Sequence, residues 1–159
     1  KLYRKVITRI EEPGTMDGGD VLRIGKRVFV GLSARSNQAA IDQLQAIVAE
    51  YGYTVTAVRT HECLHLKSAV TALSDDTVLI NPDWVDVGVF ADYRQIAIDS
   101  SEPHAANVVR IGTAILMPSS FPETLRRIEA AGFAVSTVDV SELQKAEGAV
   151  TCCSVLFNA

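Results

Sequence analysis

The residues best suited to chemistry in this sequence are cysteines and histidines, and all three cysteines and two of the three histidines occur in two short segments. One segment runs over 61–68 and the other over 151–154. A cysteine and a histidine that are distant in sequence but adjacent in a fold can act as nucleophile and base. If the second segment is a strand, Cys152 and Cys153 face opposite sides, so one would face a site and the other a core. Burial of both as small apolar side chains is the alternative.

Polar and apolar side chains alternate along the histidine segment. If this segment is extended, Cys63, His65 and Lys67 share one face. Leu64 and Leu66 then lie on the other face. A polar row of this kind either lines a cleft or lies on a solvated edge. His65 is the candidate base of the segment, because it could pair with a distant cysteine.

A zinc site is a competing interpretation of the same residues. The four soft ligands would be Cys63, His65, Cys152 and Cys153. Structural zinc sites usually take paired ligands separated by about two to four residues. Neither the adjacent cysteines nor the step from Cys63 to His65 has that spacing. We therefore expect no metal.

Two charged residues near the first strands complete the candidate set. Asp17 is the first residue of the run Asp17-Gly18-Gly19-Asp20. This run either forms a turn or supplies, through Asp17, a carboxylate that orients a histidine. Arg35 follows a predicted strand, where its guanidinium could hold a substrate carboxylate through two hydrogen bonds or lie as a solvated charge. The sequence contains no glycine-rich phosphate loop and no conspicuous carboxylate pair.

Three repeats of strand, strand, helix and strand are predicted to position these residues. The predicted strands cover 21–24, 28–32 and 54–58, then 66–73, 77–81 and 96–98, then 107–111, 114–117 and 135–138. The predicted helices follow Ser36 and end at Gly52, cover about 84–93, and run from a capping box at Ser120 to Gly132. A short helix from Ser141 and an apolar strand over 149–157 close the chain. The fold class is α/β.

Composition excludes several classes of protein. The 159 residues fit one domain, are 48% hydrophobic and 21% charged, and so have the composition of a globular protein. A net charge of -4 argues against a nucleic-acid partner. No apolar run approaches the ~20 residues of a membrane-spanning helix, so no membrane partner is expected. Three cysteines are too few for a disulfide framework, which favours a cytoplasmic location.

Four segments together resemble the dimethylarginine dimethylaminohydrolases. MDGGDV at 16–21 is similar to that family's (L/M)-(D/E)-G-G-D-V, and GLSARSNQ at 31–38 to its G-L-S-x-R-(S/T)-N-Q. LHLKS at 64–68 and TCCSVL at 151–156 are similar to its histidine and cysteine segments. Related arginine deiminases and amidinotransferases usually carry an aspartate where Lys67 stands and lack the double cysteine. Four such segments in the same order make the resemblance strong, and Lys67 and the double cysteine favour the first family.

The resemblance implies a pentein-type fold, a five-bladed α/β propeller of ββαβ modules. Residues 1–159 would then form a single domain that is a partial propeller, with about three modules, a C-terminal strand and no N-terminal modules. The family hydrolyses Nω-methylated arginine, a small-molecule substrate, to citrulline and a methylamine without a cofactor.

The resemblance also implies a role for each candidate residue. Cys152 would attack the guanidinium carbon, His65 would exchange the protons, and Asp17 would hold the imidazole. Arg35 would bind the substrate carboxylate, and main chain near Ala146 would contact the amino-acid end of the substrate.

One departure from the family leaves the function open. The acidic residues that grip the guanidinium belong to the N-terminal modules, and Glu11 and Glu12 do not match them. An open ring exposes strand edges, so we expect a homo-oligomer or a longer protein. The alternatives to a methylarginine hydrolase are an arginine deiminase-like amidine hydrolase and an inactive module for binding or assembly.

Overall fold

The computed structural model describes residues 7–156 as three small sheets, each with three strands and one crossover connection. Its strands are β1 (Val21–Ile24), β2 (Arg27–Leu32), β3 (Thr54–Arg59), β4 (Val70–Ala72), β5 (Thr77–Ile80), β6 (Arg94–Ala97), β7 (Val109–Ile111), β8 (Ala114–Pro118) and β9 (Ala134–Val138). Its helices are α1 (Gln38–Ala49), α2 (Leu66–Ala69), α3 (Pro122–Ala130) and α4 (Ser141–Gln144), with 3-10 turns at Gly18–Asp20 and Val87–Phe90.

Each sheet has the same topology. An antiparallel hairpin comes first, and the third strand then lies parallel to the second after a crossover, giving the orders β1-β2-β3, β4-β5-β6 and β7-β8-β9. The first and third hairpins turn at Gly25 and Gly112, with φ of 57° and 62°, a region that glycine enters without steric cost. The predicted α/β class and the three modules are confirmed, but the crossover of the second module contains the 3-10 turn Val87–Phe90 in place of an α-helix.

The buried side chains lie mainly between neighbouring modules. The largest cluster joins the first module to the second, and its Phe29 and Phe90 rings lie 4.8 Å apart between centroids. A second cluster joins the second module to the third through fully buried Leu79, Ile115 and Met117. Because each module covers an apolar face of the next, the modules depend on one another for their cores.

The strand predicted over 66–73 is wrong in its first half. Leu66–Ala69 forms the helical turn α2, and only Val70–Ala72 pairs as a strand. The carboxylate of Asp20 accepts a hydrogen bond from the N–H of Leu66 at 3.0 Å. This contact between residues distant in the sequence stabilises the start of the helical turn. The predicted helix over 84–93 is reduced to the 3-10 turn Val87–Phe90.

The start of α3 also differs from the predicted capping box. Its N-cap is Phe121, and Ser120 is hydrogen-bonded instead to Gln144. The carboxylate of Glu102 accepts the N–H groups of Glu123 and Thr124 at 2.9 and 2.8 Å. A buried carboxylate from another segment therefore replaces the local serine cap.

The predicted C-terminal strand is not present in the described residues. Residues 150–153 form a turn, and a hydrogen bond from the Ser154 N–H to the Thr151 carbonyl helps to close it. Residues 154–156 have no regular structure. A strand needs a hydrogen-bonding neighbour, and residues 149–156 pair with none of β1–β9. Residue 157 of that prediction lies outside the described residues.

No helix within residues 7–156 has the length and hydropathy to cross a membrane.

Candidate functional site

Three of the residues singled out from the sequence lie together. The Asp17 carboxylate is 3.4 Å from Nε2 of His65 and 3.5 Å from Nη1 of Arg35. Asp17 also accepts the Gly19 N–H at 2.8 Å, and this hydrogen bond, helped by His65, holds the pKa of the carboxyl below its usual value. An ionised carboxylate therefore lies between an imidazole and a guanidinium.

The His65 side chain makes no hydrogen bond that stabilises the secondary structure. It is the N-cap of α2, but its side chain makes no capping hydrogen bond. The residue is 9% exposed, and Nε2 is buried without a hydrogen-bond partner among the described residues. Asp17 lies within ion-pair distance of Nε2 without forming a hydrogen bond to it. An imidazole that caps no helix and has a carboxylate within 3.4 Å is suited to exchange protons with a bound molecule.

A second carboxylate, Asp20, is fully buried beneath this cluster. It accepts hydrogen bonds from Ser33 Oγ at 2.6 Å, from Ser36 Oγ at 2.7 Å and from the Leu66 N–H at 3.0 Å. Ser36 Oγ in turn accepts the N–H of Asp17 at 2.9 Å. Asp20 is therefore hydrogen-bonded to the loop that contains Arg35 and to the first residue of α2. Through Ser36 the same loop is also hydrogen-bonded to Asp17.

The absence of a side chain at Gly19 leaves the space that the His65 ring occupies. A Cβ built on Gly19 would lie 2.6 to 2.8 Å from three atoms of the His65 ring, closer than real Cβ atoms approach. Those atoms belong to a buried ring, so the ring would have to move. Any side chain at position 19 is therefore incompatible with the observed position of His65.

Gly19→Ala is expected to displace the imidazole and to lower the rate of any reaction that needs it by about 10²-fold, the usual cost of a misplacement near 1 Å. Gly18→Ala is the matched control, because a Cβ there meets nothing within 4 Å. The measurement is kcat for both variants, with thermal unfolding to show that both fold. Equal rates for the two variants would contradict this placement of His65.

An open cleft of about 1050 Å³ runs beside the cluster, and its wall includes parts of β1, β4 and β7. Lys67, Thr151 and Ser154 also line it, whereas Asp17 and His65 do not. Burial lowers the pKa of Lys67, and the charges of Cys152, Asp17 and Asp20 oppose that shift. Lys67 therefore lies in the cleft wall together with Thr151 and Ser154, the residues on either side of the two cysteines.

The two adjacent cysteines lie in the turn over 150–153, and both are exposed. The turn is anchored by Val150, which is buried, and by the Thr151 N–H, which donates to Oδ1 of buried Asn107 at 3.1 Å. The predicted division into one cysteine facing a site and one facing a core is therefore not observed. Exposure leaves both thiols accessible to a reactant.

Cys63 differs from these two thiols. It is half-buried against the first core cluster, and burial together with the nearby Asp20 charge raises its pKa to about 11. The extended row of Cys63, His65 and Lys67 is not formed, because α2 begins directly after His65.

We expect iodoacetamide to alkylate Cys63 in the folded protein roughly 100-fold more slowly at pH 8 than in the protein unfolded by urea, since the thiolate alone reacts. The factor follows from a pKa of about 11 against the ordinary 9.0. Peptide mapping by mass spectrometry measures it. Equal rates in the folded and unfolded protein would contradict the buried position of this thiol.

The remaining candidates are not brought into the cluster. Ala146 is exposed just after α4, and its N–H is donated to the Leu143 carbonyl at 3.0 Å. Within residues 7–156 no three side chains of His, Cys, Asp or Glu converge as metal ligands, so the four zinc candidates have no common site there. Two contacts were not predicted from the sequence: Gly19 packs against the His65 ring, and Asp20 accepts a hydrogen bond from the Leu66 N–H.

Sequence comparisons show which known proteins the chain is similar to. The chain is 34% identical over 157 residues to an N(G),N(G)-dimethylarginine dimethylaminohydrolase of Pseudomonas aeruginosa, covering 99% of this chain and 62% of that protein. It is 42% identical over 146 residues to a protein of the same name from Streptomyces coelicolor, covering 91% of this chain and 55% of that one. The chain therefore spans little more than half the length of these relatives.

Solved structures show the fold. The Pseudomonas aeruginosa enzyme complexed with citrulline matches with a TM-score of 0.88 and 34% identity, covering 94% of this chain and 58% of that one. An inosamine-phosphate amidinotransferase of Streptomyces griseus matches with a TM-score of 0.78 at 20% identity, covering 89% of this chain and 46% of that one. The fold class predicted from the sequence, a partial pentein-type propeller, is confirmed apart from the C-terminal strand. A family model described as arginine deiminase matches residues 3–117, and the chain belongs to that family.

Proposed function

We propose that this chain carries the nucleophile and base of a hydrolase that acts on Nω-methylated arginine and yields citrulline and methylamine or dimethylamine. The observation that carries the proposal is that Arg35 and His65 both approach the carboxylate of Asp17, with the His65 ring packed against Gly19. The chain is similar to named dimethylarginine dimethylaminohydrolases, one of them complexed with citrulline. A structure of such an enzyme as an adduct with S-methyl-L-thiocitrulline is also similar, at 34% identity.

The proposed reaction has two steps. The Cys152 thiolate attacks the guanidinium carbon, the bond from that carbon to the methylated nitrogen breaks, and His65 gives its proton to the departing amine. A water molecule then loses a proton to His65 and attacks the same carbon of the thiouronium intermediate. The carbon–sulfur bond breaks and restores the thiolate, the remaining hydroxyl proton passes to solvent, and the new carbon–oxygen bond becomes the carbonyl of the ureido group of citrulline. Covalent catalysis thus divides one difficult hydrolysis into two easier steps.

The other residues have supporting roles in this proposal. Asp17 is ionised and within 3.4 Å of the imidazole, so it holds the ring in place for the two proton transfers. Arg35 is more than half exposed and has donors left over after its contact with Asp17, so it can bind the substrate carboxylate. The main chain near Ala146 would contact the amino-acid end, and that contact requires α4 to approach the substrate.

An arginine deiminase-like activity is the second candidate function, because the matching family model carries that description. Citrulline formation from dimethylarginine and from arginine distinguishes the two activities. The proposal expects faster turnover of dimethylarginine, whereas faster turnover of arginine would favour the deiminase. No citrulline from either substrate, with the longest natural reading frame assayed, would leave the inactive binding or assembly module as the remaining interpretation.

We also propose that residues 1–159 form one domain that is an incomplete propeller and that associates with another copy. The apolar clusters shared by neighbouring modules support the single domain. Exposed apolar side chains in and after the third module support association: Ile111, Val138, Leu143, Val155 and Leu156. Mass measurement in solution tests the association, and a strict monomer would contradict it. A location in the cytoplasm remains our expectation.

A further inference from the structure

Asn107 is a buried polar residue that the proposed reaction leaves unused. We propose that it is a positioning residue, which holds the turn over 150–153 (the cysteine turn) at a fixed place relative to the module that bears His65. The inference rests on the proposed function only in taking Cys152 as the nucleophile and His65 as the base. A series of hydrogen bonds between buried groups supports it.

The cysteine turn has one hydrogen-bonded attachment in the described part of the chain. The Thr151 N–H is donated to Oδ1 of Asn107 at 3.1 Å, and Asn107 is only 4% exposed. The other hydrogen bonds of residues 150–156, both donated by Ser154, close the turn on itself. Because Thr151 directly precedes Cys152, its bond to Asn107 fixes the main chain at the residue before the nucleophile.

Apolar packing holds the start of the cysteine turn but does not orient it. Val150 is buried in a small cluster with Val109 of β7 and Val140. The hydrophobic effect is non-directional, so this burial keeps the turn against the third module without setting its direction. The hydrogen bond from Thr151 to Asn107 supplies the directional contact.

Asn107 is joined in turn to the second module. Ala105 and Ala106, which precede it, are fully buried. The Ala106 carbonyl accepts a hydrogen bond from Oγ1 of Thr71 at 2.6 Å, and Thr71 is 3% exposed. Breaking a hydrogen bond between buried groups leaves a polar atom without a partner, which is costly. The main chain at Asn107 is therefore held firmly against β4.

The strand that holds Asn107 also continues from the histidine turn. Thr71 is the central residue of β4, α2 runs directly into β4, and His65 is the N-cap of α2. The two hydrogen bonds thus join the segment that bears the candidate base to the residue before the candidate nucleophile. A misplacement of about 1 Å between such groups slows a reaction by about 10²-fold.

Asn107→Leu is expected to release the cysteine turn, because leucine has a similar shape but no acceptor. The Thr151 amide hydrogen is expected to exchange with solvent roughly fivefold faster, as measured by NMR. In the full chain, kcat for citrulline formation is expected to fall about 10²-fold with little change in KM, since Arg35 remains to bind the substrate. Asn107→Asp keeps an acceptor oxygen and is expected to keep the original exchange rate.

Gln45→Met is the matched control. Gln45 is also a side-chain amide that accepts a main-chain N–H, in this case from Val55 at 2.7 Å, but its hydrogen bond joins α1 to β3 within the first module. The control is expected to change neither the exchange of the Thr151 amide nor kcat. Thermal unfolding accompanies each variant, and Asn107→Ala replaces Asn107→Leu if the latter does not fold.

The exchange of the Thr151 amide decides the inference without substrate. An unchanged exchange rate in Asn107→Leu overturns it, whether or not the chain is active. An unchanged kcat in an active chain overturns it as well, and so does equally fast exchange in Asn107→Asp and Asn107→Leu. A chain that forms no citrulline contradicts the proposed function instead, and the exchange rates then decide the inference on their own.

Discussion

Cys152→Ser is expected to lower citrulline formation from dimethylarginine by about 10³-fold or more, the scale of loss seen when a catalytic nucleophile is removed. Serine keeps the shape of the side chain, but its hydroxyl is a far weaker nucleophile than a thiolate. Cys153→Ser is the matched control, because both thiols are exposed in one turn and differ only in position. This variant is expected to keep most of the activity.

The pair of variants is measured by steady-state citrulline assay, with intact-mass analysis to confirm each substitution. The exposure of both thiols makes the comparison informative, since neither substitution leaves a cavity in a core. A large loss in Cys153→Ser with activity kept in Cys152→Ser would reverse the assignment of the nucleophile. A large loss in both would mean that the turn acts as a unit.

Asp20→Ala is expected to lower the free energy of unfolding by about 3 kcal/mol. The substitution removes the acceptor of three hydrogen bonds and leaves the Leu66 N–H buried without a partner. Because Leu66 directly follows His65, the turn that places the imidazole loosens as well. Citrulline formation is therefore expected to fall along with stability.

Asp42→Ala is the control for this effect, because Asp42 is an exposed carboxylate on α1 that accepts one hydrogen bond from Gln38. Surface changes of this kind cost about 0.5 kcal/mol or less. Denaturant unfolding of both variants gives the comparison. If Asp20→Ala is as stable as Asp42→Ala, the buried network does not hold the site together.

The parts of the fold that were predicted from the sequence are those set by local pattern. The hairpin turns at Gly25 and Gly112 and the helix end before Gly52 need residues that tolerate positive φ, and all three glycines have it. Short runs of apolar and β-branched residues located eight of the nine strands to within about three residues at each end. Local rules also brought out Asp17, Arg35 and His65 as candidates.

The parts that were missed depend on contacts between distant residues. α2 replaced half of a predicted strand because Asp20, 46 positions earlier, accepts the N–H of Leu66. α3 is capped by Glu102 rather than Ser120 for the same kind of reason. Residues 149–156 have strand-forming composition, but strand formation requires a neighbour to pair with. No spacing rule in a sequence carries such information.

The most direct test of the account is to trap the covalent intermediate. The protein is mixed with Nω,Nω-dimethylarginine, quenched in acid within the first turnovers, and analysed by intact mass and peptide mapping. The account predicts a mass increase equal to the substrate less dimethylamine, located on Cys152 and absent from the Cys152→Ser variant. Citrulline formation with no adduct on Cys152, or with an adduct on Cys63 or Cys153 instead, would contradict it.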